Sequence, residues 1–225
     1  MKQLFFGFLL LLSIGAATAQ KMVGLQAGVN FASLKGEPSN RKDYYRGGNT
    51  GFIVGAIADI PLIKTISFRP EMNFIQKGYK EGYTSFSNGN PSTTKTDQKI
   101  DLNYIQLSPN FVYNISVGRT IFFMGASPEF AYGIVGKLTG REEINPIIGP
   151  MRSNNLNEQI KFGKYGEYKT FDFGLNLLGG FKMANRFFFS TCYTAGLANI
   201  SNYDPSYKNI GFHIKLGYIL RDYGV

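Results

Sequence analysis

Large apolar side chains recur at every second position along most of the chain. Across Val23 to Ser33, Val23, Leu25, Ala27, Val29 and Phe31 alternate with Gly24, Gln26, Gly28 and Asn30. Near the other end, Ile210, Phe212, Ile214, Leu216, Tyr218 and Leu220 alternate with Gly211, His213, Lys215, Gly217 and Ile219. A period of two marks a β-strand whose faces meet different surroundings. Thr50 to Pro61 reads as a second strand, and a third sets Phe68, Pro70, Met72 and Phe74 against Arg69, Glu71 and Asn73. A fourth sets Ile105, Leu107, Phe111, Tyr113 and Ile115 against Tyr104, Gln106, Ser108 and Asn110. In the fifth, Phe122, Met124, Ala126, Phe130, Tyr132 and Ile134 oppose Gly125, Ser127 and Glu129. The sixth opposes Phe171, Phe173, Leu175, Leu177 and Phe181 to Asp172, Gly174, Asn176 and Gly180, and the seventh Phe187, Phe189, Tyr193 and Leu197 to Ser190, Cys192, Thr194 and Gly196.

Eight such strands of about 10 to 14 residues are long enough to cross hydrocarbon at the usual tilt. Tight turns near Leu62 to Lys64, at Val117-Gly118-Arg119 and at Met183 to Asn185 alternate with loops at Gly36 to Asn49, Tyr79 to about Lys99, Gly136 to Tyr168 and Asn202 to Tyr207. The small and polar face suits a narrow lumen and the large apolar face suits lipid. The pattern therefore predicts an all-β, eight-stranded antiparallel up-and-down transmembrane β-barrel with short periplasmic turns and longer extracellular loops, both termini periplasmic. A soluble lipocalin-like lipid carrier is the alternative with the same strand number, and it would need its large apolar residues inside. Pro70, Pro109 and Pro128 fall inside predicted strands, where bulges are expected. Tyr79, Tyr104, Tyr132 and Tyr218 are candidates for the interfacial girdles.

The first residues bear on the compartment. Lys2, an apolar run from Leu4 to Ile14 and Ala17-Thr18-Ala19 form a cleavable signal peptide, residues 1–19, leaving 20–225 as one barrel domain. An exported chain with a formal charge of +9 is not expected to meet nucleic acid. Its positive residues, for example Lys35, Arg41, Lys42 and Arg46 beside Glu37 and Asp43, read as a solvated rim able to touch lipid phosphates. The single Cys192 excludes an intramolecular disulfide; with no basic partner evident nearby, it reads as a small inward filler ahead of the alternative, a reactive thiol.

Candidate chemistry gathers on the predicted lumen face, where Arg69, Glu71, Glu129, Asp172, His213 and Lys215 join Gln26, Asn30, Asn73, Gln106 and Asn176. Charges of both signs, confined inside a narrow barrel, are expected to pair into a network that plugs it. A proton or ion path is the competing reading. Three carboxylates against two permanent cations leave His213 to supply compensating charge. In the longest loop, Ile147, Ile148 and Met151 form an apolar cluster expected either to cap the barrel mouth or to meet a partner. No catalytic residue, cofactor site or metal site is predicted: the chain has one His, no Ser/His/Asp order, no metal-ligand spacing and no phosphate-cradling loop, and Glu142-Glu143 beside Arg141 reads as an exposed charge run.

Gly28-Val29-Asn30, Arg69-Pro70-Glu71-Met72 leading to Gln76-Lys77-Gly78, Asn103-Tyr104-Ile105-Gln106-Leu107-Ser108-Pro109, Gly125-Ala126-Ser127-Pro128 and Gly196-Leu197-Ala198-Asn199-Ile200 resemble the recurrent blocks of the PorT-type outer-membrane β-barrel family. In design the chain is also similar to the small porin-family barrels. Family members often carry Arg just before the Tyr of the seventh strand, where this chain has Cys192 before Tyr193. The resemblance implies an outer-membrane location and a part in protein secretion. Beside it stands the plainer expectation of a structural or surface-interaction protein acting through its extracellular loops. Expected partners are outer-membrane lipid, with lipopolysaccharide a candidate, the barrel-insertion machinery during biogenesis, and a secretion-system or surface partner.

Overall fold

The computed structural model describes residues 22–36, 42–87, 92–203 and 205–222; the expected signal peptide, 1–19, lies outside the described residues. Among the described residues nine strands follow one another: β1 (Met22–Gly36), β2 (Lys42–Pro61), β3 (Ile66–Ser87), β4 (Ser92–Val117), β5 (Thr120–Pro146), β6 (Arg152–Ile160), β7 (Phe171–Lys182), β8 (Phe187–Gly196) and β9 (Tyr207–Asp222). Their order is β4-β3-β2-β1-β9-β8-β7-β5, and the β4–β5 pairing closes the ring. The result is an eight-stranded antiparallel up-and-down barrel, as the alternation predicts. The remaining strand, β6, stands outside the ring and, among the described residues, pairs only with the distal part of β5.

The alternation also decides which side faces out. Leu107, Phe130, Leu177 and Leu216 are 45%, 49%, 65% and 62% exposed, whereas Asn110, Glu129, Asn176 and Lys215 on the opposite face are 1–4% exposed. A continuous belt of this kind is unfavourable in water and favourable in lipid. Aromatic pairs brace the belt across strands, with ring centroids 5.4 Å apart for Phe130 and Phe173 and 5.1 Å for Phe187 and Tyr218. Of the four tyrosines expected in the girdles, Tyr132 and Tyr218 lie on this outer face, but Tyr79 and Tyr104 are 3% and 0% exposed inside the barrel. Tyr104 shares its strand parity with Gln106, which fixes it inward.

Three of the expected loops are largely strand. β3, β4 and β5 run for 22, 26 and 27 residues, far more than a bilayer needs. β3 pairs with β4 in one unbroken register from Ile66↔Tyr113 to Ser87↔Ser92. Beyond the apolar belt these strands continue as a paired arm, flanked by the start of β2 on one side and by β6 on the other. Both faces of the arm are largely polar, so it carries no apolar alternation. What holds it in strand is β-branched Thr93, Thr94 and Thr96 together with cross-strand contacts such as Gln98 Nε2 to Glu81 Oε1 at 2.6 Å and Tyr45 OH to Asp97 Oδ1 at 2.9 Å.

The expected bulges at the prolines are absent. Pro70 stands opposite Pro109, and the ladders on either side of Pro109 and Pro128 keep the same register, from Leu107↔Phe130 to Phe111↔Ala126. Three prolines thus lie side by side in one row, and the β4–β5 pairing lapses only where two donorless residues face one another. Register shifts occur elsewhere, at Val23/Gly24, Lys42/Tyr45, Gly48/Ile53 and Asn103/Tyr104. Asn110 compensates from the lumen by donating Nδ2 to the Arg69 carbonyl next to Pro70, at 2.9 Å.

The interior is layered. At the turn end Met22, Ile57, Phe188 and Ile219 form an apolar floor. Phe188 lies against Gly217, where an added Cβ would come within 2.0 Å of the ring. At the arm end a larger cluster, including Ile75, Leu102, Tyr104, Ile160, Tyr168 and Ile200, forms a roof. The charged residues occupy the layer between.

Candidate functional site

All six predicted lumen charges are inside, each 1–4% exposed. Most are held by partners on other strands. Lys215 on β9 pairs with Glu71 on β3, whose Oε2 also accepts from Gln26 Nε2 at 2.8 Å. Arg69 reaches Asp59 on β2, Nη2 to Oδ2 at 2.5 Å, while its guanidinium carbon sits 4.1 Å from the centre of the Phe123 ring. Lys77 bridges the last two carboxylates, Nζ to Glu129 Oε1 at 2.5 Å and to Asp172 Oδ2 at 3.1 Å.

Asp59 and Lys77 extend the predicted set. Lys77 continues the inward series Arg69, Glu71, Asn73, Ile75, and would have been found had β3 not been ended before the residues read as loop. Asp59 is likewise the next inward position after Ile57. Among the described residues they leave four carboxylates against three permanent cations in this layer, the same excess of one, but His213 does not take the role expected of it: its Nε2 faces the Thr194 hydroxyl at 3.3 Å instead of a carboxylate.

Neutral side chains join the clusters. Thr194 Oγ1 lies 3.0 Å from Glu129 Oε2 and 2.6 Å from Asn176 Oδ1; Asn176 Nδ2 donates to Ser108 Oγ at 3.1 Å, and Gln106 Nε2 donates to both Ser108 and Glu129 at 3.1 Å. Asn209 Nδ2 donates to Asp172 Oδ2 at 2.8 Å. Single deletions leave a buried charge unpaired, which is the costly arrangement. Cys192 is a buried filler packed with Val112, Phe123 and Leu178.

The mouth is closed by residues other than the predicted cap. Phe162 lies edge-on to Tyr104 at 5.4 Å, and Tyr168 OH meets Tyr79 OH at 2.8 Å. Asn202 Nδ2 fastens this segment through the carbonyls of Gly163 and Gly166, at 2.6 and 2.9 Å. The apolar residues expected either to cap the barrel or to meet a partner stand away from the mouth at the β5–β6 tip: Ile147, Ile148 and Met151 are 71%, 90% and 62% exposed. The β5–β6 pairing lifts them clear of the mouth.

Of the expected basic rim, Lys35 and Lys42 are exposed, whereas Arg46 turns to the aromatic layer, 4.4 Å from the centre of the Tyr207 ring. Beside it Tyr44 OH donates to Glu81 at 3.2 Å, and burial, together with the Glu81 charge, pushes the Tyr44 hydroxyl up to about 12.

Solved structures with a similar trace include the attachment invasion locus protein Ail of Yersinia pestis, 10% identical over 89% of this chain and 99% of that one, with a TM-score of 0.40. Neisserial surface protein A is 14% identical over 87% of this chain and 96% of that one, with a TM-score of 0.43. OprG of Pseudomonas aeruginosa is 7% identical over 90% and 98%, with a TM-score of 0.26. No curated protein matches the chain significantly. Residues 18–202 match the family of the outer membrane protein beta-barrel domain, and the chain belongs to that family.

Proposed function

We propose that this protein is an integral outer-membrane barrel that conducts nothing and works through its arm, a structural or surface-interaction protein with its termini and tight turns in the periplasm and its arm outside the cell. The observation that carries this reading is a division within one sheet. The ring is packed shut by an apolar floor, three ion-paired clusters and an apolar roof, while β3 to β6 run on past the lipid belt as an exposed paired surface. An eight-stranded barrel has an interior about wide enough for side chains alone. No catalytic group takes part in this reading. Its partners are outer-membrane lipid along the belt, with lipopolysaccharide a candidate at the exposed lysines, and the insertion machinery during assembly. Thiol labelling of whole cells tests the orientation: a cysteine placed at Ile148 should react and one at Ala184 should not, and the reverse would invert the topology.

The blocks resembling PorT-type proteins support a narrower reading, a component of a protein secretion system. Crosslinking in intact outer membranes followed by purification tests it, and recovery of no secretion component would leave the surface reading alone.

A further inference from the structure

β6 is paired on one edge only. It lies against β5 without a register break from Gly136↔Ile160 to Ile144↔Arg152, and among the described residues no strand pairs with its other edge. Its side chains are exposed except Leu156, which is half-buried, and Ile160, which is buried. Native edges of this kind are usually blunted by charged side chains, proline or a bulge. Over Arg152–Ile160 there is no proline and no bulge, and the two charges present, Arg152 and Glu158, are of opposite sign.

The same strand is complementary to itself. Arg152 and Glu158 are six residues apart, so they share a face. When a strand pairs antiparallel with its own copy, residues on the same face must stand opposite, and the register can move only in steps of two. One such register, with the two-fold through Asn155, sets Arg152 against Glu158 of the second copy and Glu158 against Arg152. It also sets Asn154 beside Leu156 of the second copy and carries each Met151 to the other's Gln159. Opposite charges directly across such a pair are favourable, and like charges are not.

We propose that the free edge of β6 is a homotypic docking site, pairing antiparallel with β6 of a second copy about Asn155. The direction of the pairing follows from the fold. The arm continues the barrel wall, which runs parallel to the barrel axis, and the two-fold of an antiparallel pair is normal to that wall. The operation reverses the axis. The two barrels therefore stand in facing membranes, not side by side in one, and the arm becomes a membrane-to-membrane tether. This deepens the surface-interaction reading and rests on it, since the arm must project from the membrane.

The test uses the purified chain in phosphatidylcholine vesicles, with clustering read by light scattering and arm exposure by cleavage with added protease. Wild-type vesicles with exposed arms should cluster. Arg152→Glu and Glu158→Arg should each lose clustering, because each opposes like charges. Mixing vesicles of the two single variants should restore it, as should the double swap R152E/E158R within one protein. Asn155→Cys should give a disulfide-linked dimer between vesicles. Dispersed wild-type vesicles with protease-accessible arms, single variants that cluster like wild type, or a mixture that stays dispersed would each overturn the pairing and leave the surface reading standing. Dimers confined to one vesicle would overturn the facing arrangement. Arms that protease cannot reach would overturn both.

Discussion

Lys77 is the residue on which the charged layer depends most, because one ammonium serves two buried carboxylates on two strands. Lys77→Met should leave Glu129 and Asp172 facing each other unpaired and destabilise the barrel by about 3–5 kcal/mol, read as a lower urea midpoint for loss of the folded band on unheated gels. Adding Glu129→Gln and Asp172→Asn should recover most of the loss, and a triple variant as weak as the single one would show that the ammonium stem, not its charge, is what matters. A second residue titrates in the arm. The Tyr44 hydroxyl is raised above its ordinary value of 10.0 to about 12, so the folded arm favours its neutral form. The stability it contributes is complete below pH 10 and is lost as pH rises toward 12. Absorbance titration should show a late-ionising tyrosine that Tyr44→Phe removes.

The arm should be separable from the ring. Replacing Arg141 to Asn155 by a two-residue turn, which keeps Gly140 opposite Leu156, should leave the barrel inserted and gel-shifted by heat, while abolishing surface binding; an unfolded product would show that the arm holds the ring shut. Ile148→Ser, at a side chain 90% exposed, should alter stability by no more than about 0.5 kcal/mol. The ring strands were legible from residues such as Ile210 to Leu220 because lipid and lumen impose opposite demands on neighbouring positions. In the arm both faces are largely polar, so Thr93 to Lys99 carries no two-fold contrast and reads as loop although it is paired on both sides. The lumen charges were legible for the same reason as the belt. Lys77 escapes because the third strand reads only as far as Phe74, short of the polar residues that hydrogen bonding carries on as strand, whereas Asp59 lies inside the predicted second strand, where Ala56, Ile57, Ala58 and Ile60 give no contrast between the two faces.

The whole molecule should be silent in planar bilayers. Deleting Phe162 to Tyr168 should uncover the roof without steady conductance, since the charged layer and the floor around Phe188 remain; openings of porin size in either protein would sink the plug. Gly217→Ala should weaken the floor by forcing the Phe188 ring off its seat, measurable as a lower temperature for conversion to the unfolded band. The proline row has its own consequence at this scale. With Pro109 and Pro128 face to face, two missing N–H groups fall on a single rung. A slip of β4 along β5 by two residues would leave the same two carbonyls without donors, but divided between two rungs, so that two gaps in the ladder would replace one. The row therefore works as a seam: it gathers the missing donors of two strands into one short gap and leaves the ladders on either side of it unbroken.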